Sequence, residues 1–599
     1  MMWKKAVLDA MERGLIGRES ADRLVVWLTE PDFADFHSEL QTLVEAGEWA
    51  DLDDRFYRII EFGTGGRRGP RGAGTNRINR RTIAESAQGL ADYIHEHGRP
   101  IRGVAVTFDT RHGSRAFART ICEVLAANGI PSFTYSSPRS TPQLSFTIRH
   151  LNAQAGCMIS ASHNPPSDNG IKVSWEDGGQ VISPHDKGII DNVTKVKHIR
   201  RMEFDQAIKD GWIRLLGDEI DTAYIDALET LSVSSNRLAR IAYSPLHGVG
   251  ATNVVALLDR LHFDLVTVDE QMIPDPEFST VKNRLPNPEL PAAMETVTTL
   301  AQQTGADLAL ASDPDADRIG ASIPCPDWRD PSGWLFLNGN QIGALILDHV
   351  IRCIRQHHDL PPRPVVIKTI VTTDLLNAIC DANGIRVVDN LLVGFKYIAE
   401  ATAALDPEET VLFQTEESHG YNRGLFVRDK DAAPAAMHLA ELASEMKSIG
   451  RSVFDRLMDL TREHGLFMEL TRSVYYHGKA GMETMDRIMS ALRGHPPASI
   501  GTRSVNRVID RKSNEIKTSS GAVVGRIEQH TGNVMQFLFD ETGRNRVTAR
   551  PSGTEPKIKF YAQLWEPVPH HISDRDLEFM RRKLMDEANA LIDDLSAQE

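Results

Sequence analysis

Apolar positions in the first 58 residues recur at helical spacing: Leu24, Val25, Trp27 and Leu28, then Phe33, Phe36, Leu40, Leu43 and Val44. Pro31 interrupts them at a place suited to a new helix start. This stretch reads as a helical extension packed on the first domain. A three-part pattern then repeats. Gly103–Phe108 is a short apolar run, Ser114–Ala127 has helical period, and Ile130–Tyr135 is a second apolar run. Ile241–Ser244, Ala251–Leu261 and Phe263–Val268 do the same, as do Val365–Lys368, Thr373–Ala382 and Ile385–Val388. Two of the helices end alike, in Ala127-Asn128-Gly129-Ile130 and Ala382-Asn383-Gly384-Ile385, where Gly suits a left-handed helix terminus. Strand–helix–strand units of this kind predict α/β layers with mostly parallel sheets.

After about residue 475 the pattern changes. Val505–Ile509, Val523–Ile527, Val534–Phe539, Arg546–Ala549 and Ile558–Leu564 read as short strands, and Asp574–Ser596 as a helix. The expected fold class is therefore α/β: three related mixed α/β domains plus a C-terminal α+β domain with an antiparallel sheet. The expected divisions are 1–58, 59–215, 216–332, 333–474 and 475–599.

Length and composition agree with several domains. A chain of 599 residues with 25% charged and 41% hydrophobic residues is ordinary for a globular protein. The net charge of −15 argues against a nucleic-acid partner. No apolar window is long enough for a membrane span, and Met1–Ala10 lacks the apolar run of a secretory signal. The five scattered cysteines read as reduced residues of a cytoplasmic protein.

Four loops carry candidate chemistry. Ser162 follows the apolar stretch Gly156–Ile159, so it sits just past a strand end, where α/β sheets place ligands. Ser160 and Asn164 stand where a hydrolase elbow needs glycines, so that reading fails. A serine that carries phosphate is one alternative, and a polar turn in which Ser162 caps a helix is the other. Asn169-Gly170 reads as a turn that returns Lys172 toward Ser162. Asp313, Asp315 and Asp317 alternate after Ala306–Ala311. Arg318 and Pro324 occupy the Gly and Glu positions of an EF-hand loop, so a short Mg²⁺ loop fits better, with Arg318 as a fixed charge for phosphate. Glu416 and Ser418 follow Val411–Phe413 and suit sugar hydroxyls or an ordinary loop. Arg550, Ser552, Gly553 and Thr554 lie between two expected strands, as a phosphate nest or a plain hairpin turn. The Gly- and Arg-rich stretch 62–77 is neither a dinucleotide fingerprint nor a P-loop, and reads as a flexible loop able to close on an anion.

Together and in this order, these loops resemble those of the α-D-phosphohexomutase superfamily, which includes phosphoglucomutases and phosphomannomutases. The resemblance spans roughly residues 60 to 565. Phe62-Gly-Thr, Arg68-Gly, Asn76-Arg77, Pro245-Leu-His247-Gly-Val-Gly250, Gly394-Phe-Lys396 and Asp429-Lys430-Asp431 resemble the phosphoglucomutase-2-type branch and its phosphopentomutase-active relatives. Two departures stand out: Ser160 replaces the usual Thr, and His419 occupies a variable position of the sugar loop.

The resemblance implies four domains around a central cleft. It implies Ser162 as a phosphoserine that, with Asp313, Asp315 and Asp317, holds Mg²⁺. Lys172 and His163 would lie by the reacting oxygen, with Arg318 also catalytic. Arg68, Lys396, Glu416 and Ser418 would contact phosphate or sugar, and Arg550, Ser552, Gly553 and Thr554 the non-reacting phosphate. The expected reaction interconverts hexose 1- and 6-phosphates, glucose first and mannose second, with glucose 1,6-bisphosphate as activator and intermediate. Lys172, its pKa lowered toward neutrality, is the first choice of base and His163 the second. The alternatives are a phosphopentomutase, a glucose-1,6-bisphosphate synthase or a sugar-phosphate sensor. The expected partners are small sugar phosphates, without nucleic acid or membrane, on a monomer or weak homodimer.

Overall fold

The computed structural model of the chain describes residues 2–60, 66–476, 478–552, 557–569 and 571–597. The extension forms four helices, Met2–Glu12, Arg18–Thr29, His37–Ala46 and Trp49–Phe56. Pro31 starts a 3-10 turn, Pro31–Phe36, rather than an α-helix. Leu24, Leu40, Leu52 and Phe56 are fully buried, and the Trp27 ring packs on Phe33, Phe36 and Phe56. The extension's apolar core takes in Ala73 of the first unit, on which it packs.

The next three units share one sheet plan. In the first, Ser132–Tyr135, Val104–Phe108, Ala155–Ile159 and Asp168–Trp175 lie side by side. The first three run parallel and the last antiparallel. The second repeats this with Asp264–Thr267, Arg240–Ser244, Leu308–Ser312 and Ile319–Pro324. The third does so with Arg386–Leu391, Pro364–Thr369, Thr410–Glu416 and Gly420–Asn422. Central strands such as Val104–Phe108 and Leu308–Ser312 are buried throughout, which explains their unbroken apolar runs. Gly129 and Gly384 take positive φ of 70° and 68° after their helices, as the sequence predicts.

Some local expectations change. Asn169-Gly170 is no turn; it lies inside Asp168–Trp175, and the antiparallel pairing Met158↔Lys172 is what returns Lys172 to the site. Within the Gly- and Arg-rich stretch, Gly66–Pro70 is an edge strand paired with Asp168–Trp175, and 71–77 follow as turns. Its Arg67 is buried and donates to Thr82 O (2.9 Å) and Ser86 Oγ (3.2 Å), so it is structural rather than a free anion clamp. The expected helix 251–261 splits into a 3-10 turn, Gly250–Thr252, and a helix, Val254–Arg260.

The C-terminal unit is a seven-stranded antiparallel sheet backed by Asp574–Ser596. Its edge strand, Leu466–Tyr475, pairs along its whole length with Lys557–Glu566. That sheet therefore begins before residue 475. A helix, Gly478–Gly494, also joins it, unforeseen from the sequence.

Candidate active site

The shared sheet plan puts one loop in the same place in each α/β unit, between the last parallel strand and its antiparallel neighbour. These are the Ser162, aspartate and Glu416 loops. Each turns through one non-glycine residue with positive φ: Ser162 (52°), Ala316 (50°) and His419 (60°). Such backbone is costly and persists where its surroundings fix it.

The Ser162 loop is fixed by Arg111. Its guanidinium donates to the carbonyl oxygens of Ser162 (2.5 Å), Asn164 (2.5 Å), Pro165 (2.7 Å) and Asp168 (3.2 Å). Asp109 accepts from the Arg111 backbone N–H (2.9 Å) and Ser114 Oγ (2.6 Å) behind it. Ser162 Oγ is thereby aimed out of its own unit and donates to Asp313 Oδ2 at 2.7 Å. His163 Nδ1 lies 3.2 Å from the same oxygen. Burial, then the charges of Arg318, Arg68 and Lys559, hold the His163 imidazole well below its ordinary pKa, so it is neutral.

All three aspartates are buried and lie close enough to share an ion. The loop packs on Pro245–Gly250: Val249 N–H donates to Pro314 O (2.9 Å), and a Cβ on Gly248 would fall 2.3 Å from Pro314 Cα. Asp313 Oδ1 accepts the backbone N–H groups of Asp317 (3.1 Å) and Arg318 (3.0 Å). Asp315 Oδ2 accepts from Thr141 Oγ1 (2.7 Å) and Lys172 Nζ (2.6 Å). Asp317 Oδ2 is 3.0 Å from Lys172 Nζ and 3.1 Å from Lys430 Nζ. Asp315 Oδ1 and Asp317 Oδ1 are buried with no hydrogen-bond partner among the described residues. Unpaired carboxylate oxygens are costly in a protein interior, and a hard cation with open positions fits this all-oxygen set.

The carboxyl groups respond unequally. Burial and the charges of Asp317 and Asp315 push Asp313 well up. Burial also acts to raise Asp315 and Asp317, but Lys172 on the first, and Lys172 with Lys430 on the second, bring them below the usual range. Lys172 itself is raised: burial would lower it, and Asp315 and Asp317 more than offset that. The lowered pKa asked of a Lys172 base is therefore not met while these carboxylates face it.

The third loop is joined to the second by backbone. Arg318 and Gly420 form an antiparallel bridge, Ile319 N–H donates to His419 O (3.2 Å), and His419 Nδ1 lies 3.0 Å from Ile319 O. His419 is thus spent on holding the loops together. Glu416 is buried at the end of its strand and Ser418 is half-buried in the turn. Arg318 pairs with Glu289 and lies 3.7 Å from Asp317 Oδ1. Glu417, whose Oε2 accepts from Thr369 Oγ1 (3.1 Å), is pushed up to about 7 by burial and the neighbouring Glu416 charge.

Arg68 Nη1 reaches Asn164 Oδ1 (3.3 Å) beside the serine. Lys396 is buried with Nζ 5.0 Å from the Tyr397 ring centroid, and burial lowers its pKa. Arg550 pairs in register with Lys559, and Ser552 N–H donates to Lys557 O (2.8 Å). The charge of Lys559 acts on His163, Glu289 and Glu417, so the fourth unit faces the other loops. Gly553 and Thr554 lie outside the described residues. Sequence reasoning missed Arg111, Thr141 and Glu289, which no motif flags. It noted Lys430 only within a signature, without a role.

Three family models match the chain in order. They are phosphoglucomutase/phosphomannomutase alpha/beta/alpha domain I at residues 60–200, domain II at 222–325 and domain III at 338–462. Phosphoglucomutase from Staphylococcus aureus strain N315 is 33% identical over 523 residues, covering 86% of this chain and 92% of that protein. The chain belongs to the phosphoglucomutase/phosphomannomutase family. It is a sugar phosphomutase, and its mixed α/β units with an antiparallel C-terminal sheet are the family's architecture. Phosphoglucomutase from S. aureus strain MRSA252 is likewise 33% identical, over 86% of this chain and 92% of its own. Two solved structures share the fold. The Paramecium phosphoglucomutase parafusin, in its open form, has a TM-score of 0.62 at 18% identity, over 90% of this chain and 96% of that one. A Burkholderia thailandensis phosphoglucomutase/phosphomannomutase family protein has a TM-score of 0.61 at 16% identity, over 90% and 98%.

Proposed function

We propose that this phosphomutase interconverts hexose 1-phosphates and hexose 6-phosphates, glucose first and mannose second, through phospho-Ser162 and a bound hexose bisphosphate. The observation that carries this is the 2.7 Å contact of Ser162 Oγ with Asp313, beside two buried, unpartnered carboxylate oxygens. Glucose is put first because the 33%-identical relatives are phosphoglucomutases.

Phospho-Ser162 gives its phosphoryl group to a sugar hydroxyl, whose proton departs as the new P–O bond forms. The bisphosphate then turns over, and its other phosphate returns to Ser162 Oγ. Asp313, Asp315 and Asp317, with an oxygen on Ser162, would hold Mg²⁺, which supplies positive charge against the phosphoryl oxygens. The phosphate and three carboxylates sum to about −5, and Lys172, Lys430 and Arg318 offset part of it. Catalysis is then mainly positioning and charge neutralisation. A charged Lys172, held by Asp315 and Asp317, would offset negative charge beside the serine. The neutral His163, 3.2 Å from Ser162 Oγ, offers the acceptor lone pair. Glu416 and Ser418 would hold sugar hydroxyls, and Arg68, Lys396, Arg550, Ser552, Gly553 and Thr554 the far phosphate or the sugar. The proposed units supplying these loops are 59–215, 216–332, 333–474 and 475–599, the last extended upstream to include Leu466–Tyr475.

The test is ³¹P NMR with glucose 1-phosphate, mannose 1-phosphate and ribose 1-phosphate, Mg²⁺ and a trace of glucose 1,6-bisphosphate. The expected result is conversion of hexose 1-phosphate to 6-phosphate, abolished in Ser162→Ala. Conversion of ribose 1-phosphate alone makes the protein a phosphopentomutase. Bisphosphate accumulating from a separate donor makes it a synthase, and binding without turnover makes it a sensor.

A further inference from the structure

Away from the catalytic loops, helices Gly339–His357 and Ala432–Ser448 of the third unit bury a second set of metal-ligating groups between them. His438 and Glu441 stand three residues apart on one helix, with His349 facing them from the other. Glu441 Oε2 lies 3.1 Å from His438 Nδ1 and 3.5 Å from His349 Nε2. The three ligand atoms all fall within 4.8 Å of one another, and all three residues are buried. With zinc–nitrogen and zinc–oxygen bonds near 2.0–2.2 Å, tetrahedral ligands sit about 3.3–3.6 Å apart. The His349 contact is long for a hydrogen bond and right for such an edge.

The surroundings are those of an oriented metal ligand. The other His349 nitrogen, Nδ1, is 3.0 Å from Glu445 Oε2, a carboxylate placed to fix the ring and its tautomer. Glu445 Oε1 accepts from Arg352 (3.2 Å) and Gln356 (3.4 Å). The remaining Glu441 oxygen accepts from Ser232 Oγ (2.5 Å) in the second unit. A cavity of about 600 Å³, lined by Ser232, Arg237, Cys353 and Gln356 among others, opens at Cys353, one helical turn from His349. Cys353 Sγ lies 3.5 and 3.9 Å from the two His349 nitrogens and groups with Glu445 rather than with His438 and Glu441, so it is not counted as a ligand. His438 Nε2 is buried with no partner among the described residues.

We propose that His349 Nε2, His438 Nδ1 and Glu441 Oε2 form a second metal site, selective for a borderline divalent cation such as Zn²⁺, at the junction of the second and third units. Two imidazoles and one carboxylate favour zinc-class ions, whereas the all-oxygen aspartate loop favours magnesium.

The test uses the full chain, stripped by chelator and then saturated with Mg²⁺ to fill the aspartate loop. Zn²⁺ binding is measured by competition with a chromogenic chelator, and Cu²⁺ is used as an electron paramagnetic resonance probe. The expected result is one Zn²⁺ per chain, Cu²⁺ spectra showing coupling to two imidazole nitrogens, and a raised Tm with Zn²⁺. His438→Gln removes the Zn²⁺ effect and the second nitrogen, with mutase activity under Mg²⁺ kept. Should that variant fail to fold, Glu445→Gln, which leaves all three ligands in place, is expected to weaken Zn²⁺ at least tenfold. No Zn²⁺ binding under Mg²⁺, no nitrogen coupling, or affinity unchanged in these variants overturns the proposal.

Discussion

Arg111 donates to four carbonyl oxygens of the Ser162 loop and pairs with Asp109 behind it. Its predicted effect is on placement. Arg111→Met should lower kcat about tenfold to a hundredfold, as expected when a reacting atom is misplaced by an ångström or so, with KM for sugar phosphate unchanged. Steady-state kinetics decide this, and an unchanged kcat contradicts it. Asp315 differs, because one of its oxygens is paired with Lys172 and Thr141 while the other is buried and open. Asp315→Asn should lower kcat by roughly 10²–10³, the scale of losing one electrostatic stabiliser, and flatten the response to Mg²⁺. A Mg²⁺ titration of the rate with the wild-type response retained would show that the loop holds no ion.

Strand Leu466–Tyr475 shows how an element can hide. Its early residues alternate between buried and half-buried, and its polar positions, Glu469, Thr471, Arg472 and Ser473, break the apolar run that would have marked it. Only pairing with Lys557–Glu566 makes it a strand. Glu469 within it is pushed up to about 7 by burial. A carboxyl whose folded pKa lies above its unfolded value binds its proton more tightly in the native state, so its contribution is full at low pH and declines as pH rises from about 4.5 to about 7. Glu469→Gln should remove about 1–3 kcal/mol of that decline, read by chemical denaturation at about pH 5 and about pH 7.5. An unchanged slope would contradict it. The buried parallel strands were legible because burial on both faces writes continuous apolar runs, and the helix Ser114–Ala127 because its apolar positions recur at helical period. The loops of Ser162, the aspartates and Glu416 stood out in the sequence because polar clusters follow apolar strands there, and the structure brings these loops together. Arg111 was not, since a guanidinium that holds carbonyls leaves no spacing signal, nor was the edge strand Gly66–Pro70, whose glycines and arginines resemble a loop.

At the scale of the whole molecule, the helical extension is tied to the segment just after Arg68. Arg55 pairs with Glu39 (2.7 Å) and donates to Ala73 O (3.1 Å), while Glu39 accepts the Ala73 N–H (3.2 Å). Asn76 N–H donates to Arg55 O (2.9 Å) and Ile60 N–H to Thr75 O (2.8 Å). Arg55→Met should therefore raise KM for sugar phosphate roughly tenfold, a loss near 1.4 kcal/mol, through looser placement of Arg68. An unchanged KM would separate the extension from the cleft. Among the described residues no helix is long and apolar enough to cross a membrane, and all five cysteines are unpaired. The shared plan of the three α/β units brings one loop from each to a common centre, and the claim resting on that geometry is phosphoryl relay through Ser162. Its most direct test is a single-turnover experiment. Enzyme phosphorylated at Ser162 is mixed with glucose 1-phosphate and Mg²⁺, quenched at intervals, and followed by intact mass and ³¹P NMR. The protein is expected to lose one phosphoryl mass as an equal amount of glucose 1,6-bisphosphate forms, and Ser162→Ala to show neither. Glucose 6-phosphate forming while Ser162 keeps its original phosphoryl group would contradict it.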